Sequence, residues 1–307
     1  MRPRTVAFIA VLLISGCSAK PVDTSDARLF RVTHGESARD IARALTDQGF
    51  IRRPWSFLIW VKLPFHHRHS IRPGAYPISP SDTGYSILQL MLKGPPSARL
   101  TFPEGWNAKQ IATLLELHNV IPAATFLQKV DKEKLEGYLF PDTYVFEQGS
   151  DLDTVMHAMR RRFNQMLPPD WAERQKALHL SDRQLVTLAS IVERETRVPE
   201  ERPLIAGVFL NRLHKHMRLE TDPTVQFALG VWKPHLTYHD LEVESPYNTY
   251  RHAGLPPGPI CNPGAAALDA AAHPAQTDML FFVATGDGTH RFSQNYQQHL
   301  KVQREQR

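Results

Sequence analysis

The sequence is short of the features that mark several large enzyme classes. No spacing of His, Cys, Asp and Glu matches a metal-ligand set, no glycine-rich loop is placed to cradle a phosphate, and no Ser-His-Asp or Cys-His arrangement stands out. No metal and no cofactor is therefore expected. Apolar runs are short, and the run Val6 to Ile14 falls below the ~20 residues that a membrane-spanning helix needs. Basic residues form no clustered stripe, and a net charge of +5 is modest for a chain of this length, so a nucleic-acid partner is not expected. What is present is a globular composition. At 307 residues and 42% hydrophobic content the chain can bury a real core, as one large or two moderate domains.

Residues 1–20 stand apart from that core. Arg2 and Arg4 precede the apolar run, and Ser15 and Gly16 lead into Cys17, the pattern of an export signal. Ile14-Ser15-Gly16-Cys17 resembles a bacterial lipobox, in which cleavage leaves Cys17 as a lipidated N-terminus. An uncleaved helix from Val6 to about Ala19 is the other reading, and both place the body in an extracytoplasmic space. Cysteine is otherwise confined to Cys261. If Cys17 carries lipid, no internal disulfide can form although the compartment is oxidising, and Cys261 reads as a small packed residue. The charge falls by two, to +3, when Arg2 and Arg4 leave. That suits a surface near anionic lipid or an anionic cell-wall polymer.

After a polar tether at 21–27, residues 28–94 read as a small α+β unit. Leu29 to Val32 forms a strand, Gly35 and Ser37 open a helix with its stripe at Ile41, Ala42 and Leu45, and Gly49 ends it. Helices from Trp55 to Val61 and from Ser86 to Leu92 flank a strand at 74–78. His66, His67, Arg68 and His69 lack helical or strand spacing and read as a solvated loop. Gly94-Pro95-Pro96 marks a boundary, beyond which residues 97–303 form a larger mixed α+β domain. There a strand and turn at 100–106 lead into the helix Asn107 to Leu117, and Tyr138, Phe140 and Tyr144 share a period of two. One aromatic face there could stack on sugar rings or enter the core.

The most informative segment is Leu188-Ala189-Ser190-Ile191-Val192-Glu193-Arg194-Glu195-Thr196. Ser181 and Gln184 make a capping-box start, and Leu185, Leu188, Ala189 and Val192 recur at helical spacing. The helix reads as core and yet ends in two carboxylates. Glu195 falls roughly 50° from the centre of the apolar stripe, Glu193 roughly 110° away on the flank, and Arg194 points outward. A desolvated carboxylate holds its proton near neutrality, as a general acid for glycosidic cleavage must. Glu195 is the better candidate and Glu193 the runner-up, unless both are solvated or capped by Arg183, Arg197 or Arg202.

The C-terminal third reads as rigid loops. Leu219 to Gln226, Ser245 to Tyr250 and Gly254 to Ile260 carry amide, hydroxyl and aromatic groups among prolines that cut the entropy of ordering a site. An Ala-rich helix from Pro263 to Ala272 and a strand from Met279 to Val283 close the domain.

Together, Glu136 to Tyr144, Leu188 to Thr196, Val208 to Val225, Tyr247 to Ile260 and Ala271 through Phe292 resemble, in colinear order over roughly residues 30 to 302, the MltG/YceG-like family of endolytic murein transglycosylases. The resemblance implies a membrane-anchored periplasmic or extracytoplasmic enzyme with a LysM-like N-terminal domain and a lysozyme-like catalytic helix. The opening Phe30-Arg31-Val32-Thr33-His34-Gly35 through Ala42 is itself similar to a LysM-like glycan-binding module. Such an enzyme would cut nascent peptidoglycan within the strand and terminate its elongation, beside peptidoglycan synthases. The resemblance assigns catalysis to the second Glu of Ile-Val-Glu-x-Glu-Thr, which is Glu195, and the Glu-Thr pair is similar to the Glu-Ser pair of lysozyme-like lytic transglycosylases. It carries Asn211, Gln226, Tyr247, Asn248 and Tyr250 as sugar contacts; Tyr138 is a further substrate-binding candidate from the aromatic face, and Asp222 before Pro223 reads as a residue that orients the site or, more simply, as a turn cap. The family usually carries one transmembrane helix, whereas this chain has a short segment ending in a lipobox. A non-catalytic wall-binding lipoprotein and a hydrolase are the alternatives.

Overall fold

The computed structural model describes residues 26–63, 70–196 and 198–305. The export segment with Cys17, the His66 to His69 loop and Arg197 lie outside the described residues. The chain divides into two compact units between Gly94 and Pro95, and both mix helices with antiparallel strand pairs.

In the N-terminal unit β1 (Arg28–Val32) is followed by α1 (Ala38–Asp47), α2 (Trp55–Val61), β2 (Gly74–Ile78) and α3 (Gly84–Lys93). β1 and β2 pair antiparallel, Phe30 opposite Tyr76. Ser37 caps α1 by accepting from Asp40 N at 3.3 Å, and a Thr83–Ser86 capping box starts α3. Their stripes, Ile41, Ala42 and Leu45 with Ile87, Leu88 and Met91, close over Phe30, Phe57 and Tyr76. Gly84 permits the tightest approach, since a Cβ there would stand 2.1 Å from Ser56 O.

The C-terminal unit holds two cores. β3 (Ser97–Thr101), α4 (Ala108–Leu117), α5 (Ala123–Glu133), β4 (Thr143–Glu147) and α6 (Leu152–Met166) surround Phe102, Ile111, Leu115, Phe126 and Met159. Then come α7 (Trp171–Leu178), α8 (Asp182–Glu195), a 3₁₀ turn at Pro199–Glu201, α9 (Arg202–His214), α10 (Asp222–Leu229) and α11 (Ala265–Ala272). The hairpin β5 (Phe281–Ala284) and β6 (His290–Ser293), with Phe282 opposite Phe292, precedes α12 (Tyr296–Glu305). α8 is the axis of this second core: every residue from Leu185 to Val192 is buried, and α9 and α11 pack against it.

Two sequence expectations are revised and one open alternative is decided. Residues 222–229 form α10 rather than a loop, because Thr221 and Asp222 supply the N-terminus, Pro223 sits in the first turn where its missing N–H is harmless, and Gly230 ends it at φ +68°. The aromatic period of Tyr138, Phe140 and Tyr144 makes no shared outer face: Phe140 is buried, Tyr138 packs on Phe163, and Tyr144 lies against Phe102 and Phe146. The first strand of the last hairpin begins at Phe281, not Met279.

Candidate active site

α8 runs through the core and ends at Glu195, where Thr196 turns to extended geometry. The ending is held from outside the helix. Thr196 Oγ1 accepts from Val198 N at 3.0 Å and donates to Glu201 Oε2 at 3.3 Å, while Glu201 takes both the backbone N–H (2.8 Å) and Nδ1 (2.7 Å) of His290 on β6. His290 packs edge-on against Phe282. The residue after Glu195 is thereby tied to the hairpin that forms one wall of the adjoining pocket.

That pocket has a volume of about 440 Å³, and its lining includes Glu195, Arg212, Asp222, Tyr250, Phe281 and Tyr296 together with Glu220, His299 and Gln303. Glu195 is half-buried, and its carboxyl is pushed up to about 7. Loss of hydration is the chief cause, the Asp222 charge adds to it, and the Thr221 hydroxyl and Arg212 guanidinium pull it partway back. Among the described residues Thr221 Oγ1 is buried without a well-formed hydrogen bond. Tyr250 donates to Asp222 Oδ1 at 2.6 Å. Thr249 staples this segment to the start of α10: its hydroxyl pairs with that of Thr224 at 2.8 Å and accepts from Thr221 N at 3.1 Å. Glu220 adopts φ +49°, a strained conformation for a residue with a side chain, where the chain turns into α10.

Arg212 is the site residue that sequence reasoning passed over. It is 7% exposed, donates to Leu280 O at 2.6 Å and Leu219 O at 2.7 Å, and lies 5.1 Å from the Phe281 ring centroid. The signal was present: Arg212 stands four residues after Val208 and seven after Ile205, on the buried stripe of its own helix. The C-terminal residues Tyr296, His299 and Gln303 also went unread, for α12 carries no strong apolar stripe.

The other predicted residues fall elsewhere. Glu193 faces away from the pocket's carboxylates and into the protein, its side chain 6% exposed, bound by Arg202 at 3.3 Å and by Gly264 N at 3.0 Å. Burial raises its pKa, and those two partners oppose the shift. It is more enclosed than the helical wheel implies because α11 covers that flank. Asn211 commits its amide to Thr277 O (2.7 Å) and Met279 O (3.0 Å). Asn248 is fully buried and donates to Leu241 O and Val243 O, and Gln226 closes a two-bond bridge to Lys233. Tyr138 donates to Asp182 Oδ2 at 2.8 Å. Tyr247 packs at a tilt against Phe227 and lines a separate cavity with Glu136, Arg183 and Pro257. Arg183 caps neither glutamate; it donates to Pro257 O and Lys134 O. Arg194 folds over the Trp232 ring at 3.8 Å instead of reaching outward.

A second buried carboxylate was unforeseen. Glu136 is pushed up to about 7 by burial against the opposing pull of Ala108 N and Asn262. Asn262 accepts from Gly137 N and Leu139 N and donates to Trp106 O and Glu136 Oε1. This pair welds the 136–139 turn to the 260–264 loop. Among the described residues no three His, Cys, Asp or Glu side chains are grouped to hold a metal.

The half-buried acid that ends α8 and the polar pocket beside it fall within a stretch that matches the YceG-like family as a whole, residues 30–305. The chain belongs to the YceG-like family. A relative from Bacillus subtilis (strain 168), named endolytic murein transglycosylase, is 32% identical over 299 residues, covering 88% of this chain and 82% of the relative. A relative of the same name from Streptococcus pneumoniae serotype 2 is 27% identical, and although 96% of this chain is matched, that spans only 63% of the pneumococcal protein. The crystal structure of a YceG-like protein from Listeria monocytogenes superposes with a TM-score of 0.62 at 32% identity, covering 90% of this chain and 99% of that one. For this YceG-like chain the mixed α+β architecture is thus shared with a solved member of the family.

Proposed function

We propose that the chain is an endolytic murein transglycosylase, a peptidoglycan-cleaving lyase, with Glu195 as its acid and base. The observation that carries the reading is the Glu195 carboxyl, raised to about 7 in the wall of a polar pocket. A group poised near neutrality can both give and take a proton. Protonated Glu195 donates to the oxygen joining N-acetylmuramic acid C1 to the next N-acetylglucosamine. The carboxylate so formed is steadied by the Arg212 guanidinium and then removes the proton of the muramyl C6 hydroxyl. That oxygen closes on C1, giving a 1,6-anhydro end without consuming water. The substrate's acetamido group stabilises the developing cation, so the paired carboxylates of most glycosidases are not needed. Asp222, held by Tyr250, is placed to bind a sugar hydroxyl, and the buried Thr221 hydroxyl faces the Glu195 carboxyl.

The N-terminal unit fits a LysM-like role in holding glycan. Anchoring by the Cys17 lipid or the apolar segment keeps the body at the extracytoplasmic face of the cell membrane, where cutting nascent strands beside the synthases ends their growth. No helix among the described residues is long and apolar enough to cross a membrane.

The test is mass spectrometry of peptidoglycan digested by the wild type and by Glu195→Gln. Products ending in 1,6-anhydro-muramic acid, absent with the variant, support the reading. Reducing ends would assign a hydrolase, and binding without cleavage a wall-binding protein.

A further inference from the structure

Beside the acid lies a second cavity, of about 220 Å³, whose lining includes Asn107, Lys109, Gln110, Arg194, Gln226 and Trp232. It adjoins the first through consecutive residues: Arg194 precedes Glu195 at the end of α8, and Pro223, which also lines it, follows Asp222 at the start of α10. Its neutral polar side chains are already committed. Asn107 and Gln110 cap each other's backbone N–H groups at the start of α4, and Gln226 is bridged to Lys233. The donors left over are cationic. Lys109 Nζ stands over Gly230, 3.5 Å from where a Cβ would be, and among the described residues no carboxylate pairs with it. The Arg194 guanidinium sits over the Trp232 ring, 3.8 Å from its centroid, with one N–H donated to Gly105 O. No carboxylate lines this cavity, whereas Glu195, Glu220 and Asp222 line its neighbour.

We propose that this cavity is a subsite for the carboxylate-bearing stem peptide of the murein strand, with Lys109 and Arg194 meeting its carboxylates and Trp232 its apolar side. The proposal rests on the reading of murein as substrate. A stem hangs from the lactyl group of the same muramyl residue whose C1 is cut, and a peptide extends ~3.3–3.6 Å per residue, so a short stem spans from one cavity to the next. Reach and charge together select the peptide: its carboxylates lie residues away from the sugar, whereas a strand freed of its stem keeps only the lactyl carboxylate held against the ring.

The test compares soluble uncross-linked strands with the same strands freed of their stems by a muramoyl-alanine amidase. Binding to the full chain is measured in a Glu195→Gln background, which keeps the strands intact. The expected result is about three- to tenfold tighter binding of stem-bearing strands. That preference should collapse toward one in Lys109→Gln and in Trp232→Ala, both exposed positions, with the thermal midpoint unchanged. Equal binding of the two strands, or a preference that survives both substitutions, overturns the proposal. Failure of the enzyme reading shows separately. If stem-bearing strands bind preferentially while the chain with Glu195 intact never cuts them, the subsite stands and the transglycosylase reading falls.

Discussion

At the scale of single residues the two glutamates of α8 separate by their partners. Glu193 is a structural anchor, paired with Arg202 and with the N-terminus of α11. Truncation to alanine strands a buried guanidinium, and breaking such a pair costs about 3–5 kcal/mol; Glu193→Ala should lose its chemical-denaturation midpoint before it loses any chemistry specific to substrate. Glu195→Gln should behave oppositely. It should lower kcat by about 10²- to 10⁴-fold and yet stabilise the fold at alkaline pH. The sign follows from linkage. With a folded pKa of about 7 against an ordinary carboxyl value near 4.5, the unfolded chain releases its proton first, so stability falls as pH rises from about 4.5 to about 7. Glutamine removes that loss, and thermal midpoints of the two proteins should diverge in favour of the variant across that window. Glu136 has the same sign and remains in both. For the wild type, kcat/KM should decline above about pH 7 as the acid loses its proton.

At the scale of elements, what could be read from the sequence was local. The capping box at Ser181 and the limits of α2 are set by neighbours within four residues, and they were legible; the Thr83 capping box was not, and it starts α3 two residues before the expected Ser86. The position of Glu195, at the end of a buried helix and facing a pocket, was legible because one helix decides it. It was illegible where distant segments meet: Asn262 binds backbone 123 and 125 residues away, and Asn211, Gln226 and Asn248 spend on backbone carbonyls and N–H groups the amides that looked free for sugar. Such tertiary commitments leave no periodic trace. Helix α9 supplies a sharp test of these packings. A Cβ at Gly207 would stand 2.5 Å from Ala275 O, a backbone atom that cannot swing aside. Gly207→Ala should destabilise by about 1–3 kcal/mol, read as a lower denaturation midpoint, and should loosen the 274–280 segment whose carbonyls hold Asn211 and Arg212.

At the scale of the whole molecule, the division between Gly94 and Pro95 leaves each unit with a core of its own. Residues 95–305 expressed alone should fold cooperatively and cut soluble strands, with a weaker apparent affinity for long strands if the N-terminal unit contributes glycan contact. Loss of all cleavage from that piece, despite a native circular dichroism spectrum, would show that the smaller unit completes the site.

The eight consecutive buried residues of α8 also fix how this protein fails. Their amide protons can exchange with solvent only when the core itself opens, so the acid at the end of that helix has no private melting transition. In residues 95–305 expressed alone, heating or denaturant should extinguish activity and ellipticity along a single superimposable curve. A catalyst built this way is either whole or absent, and cannot be throttled by fraying at its centre.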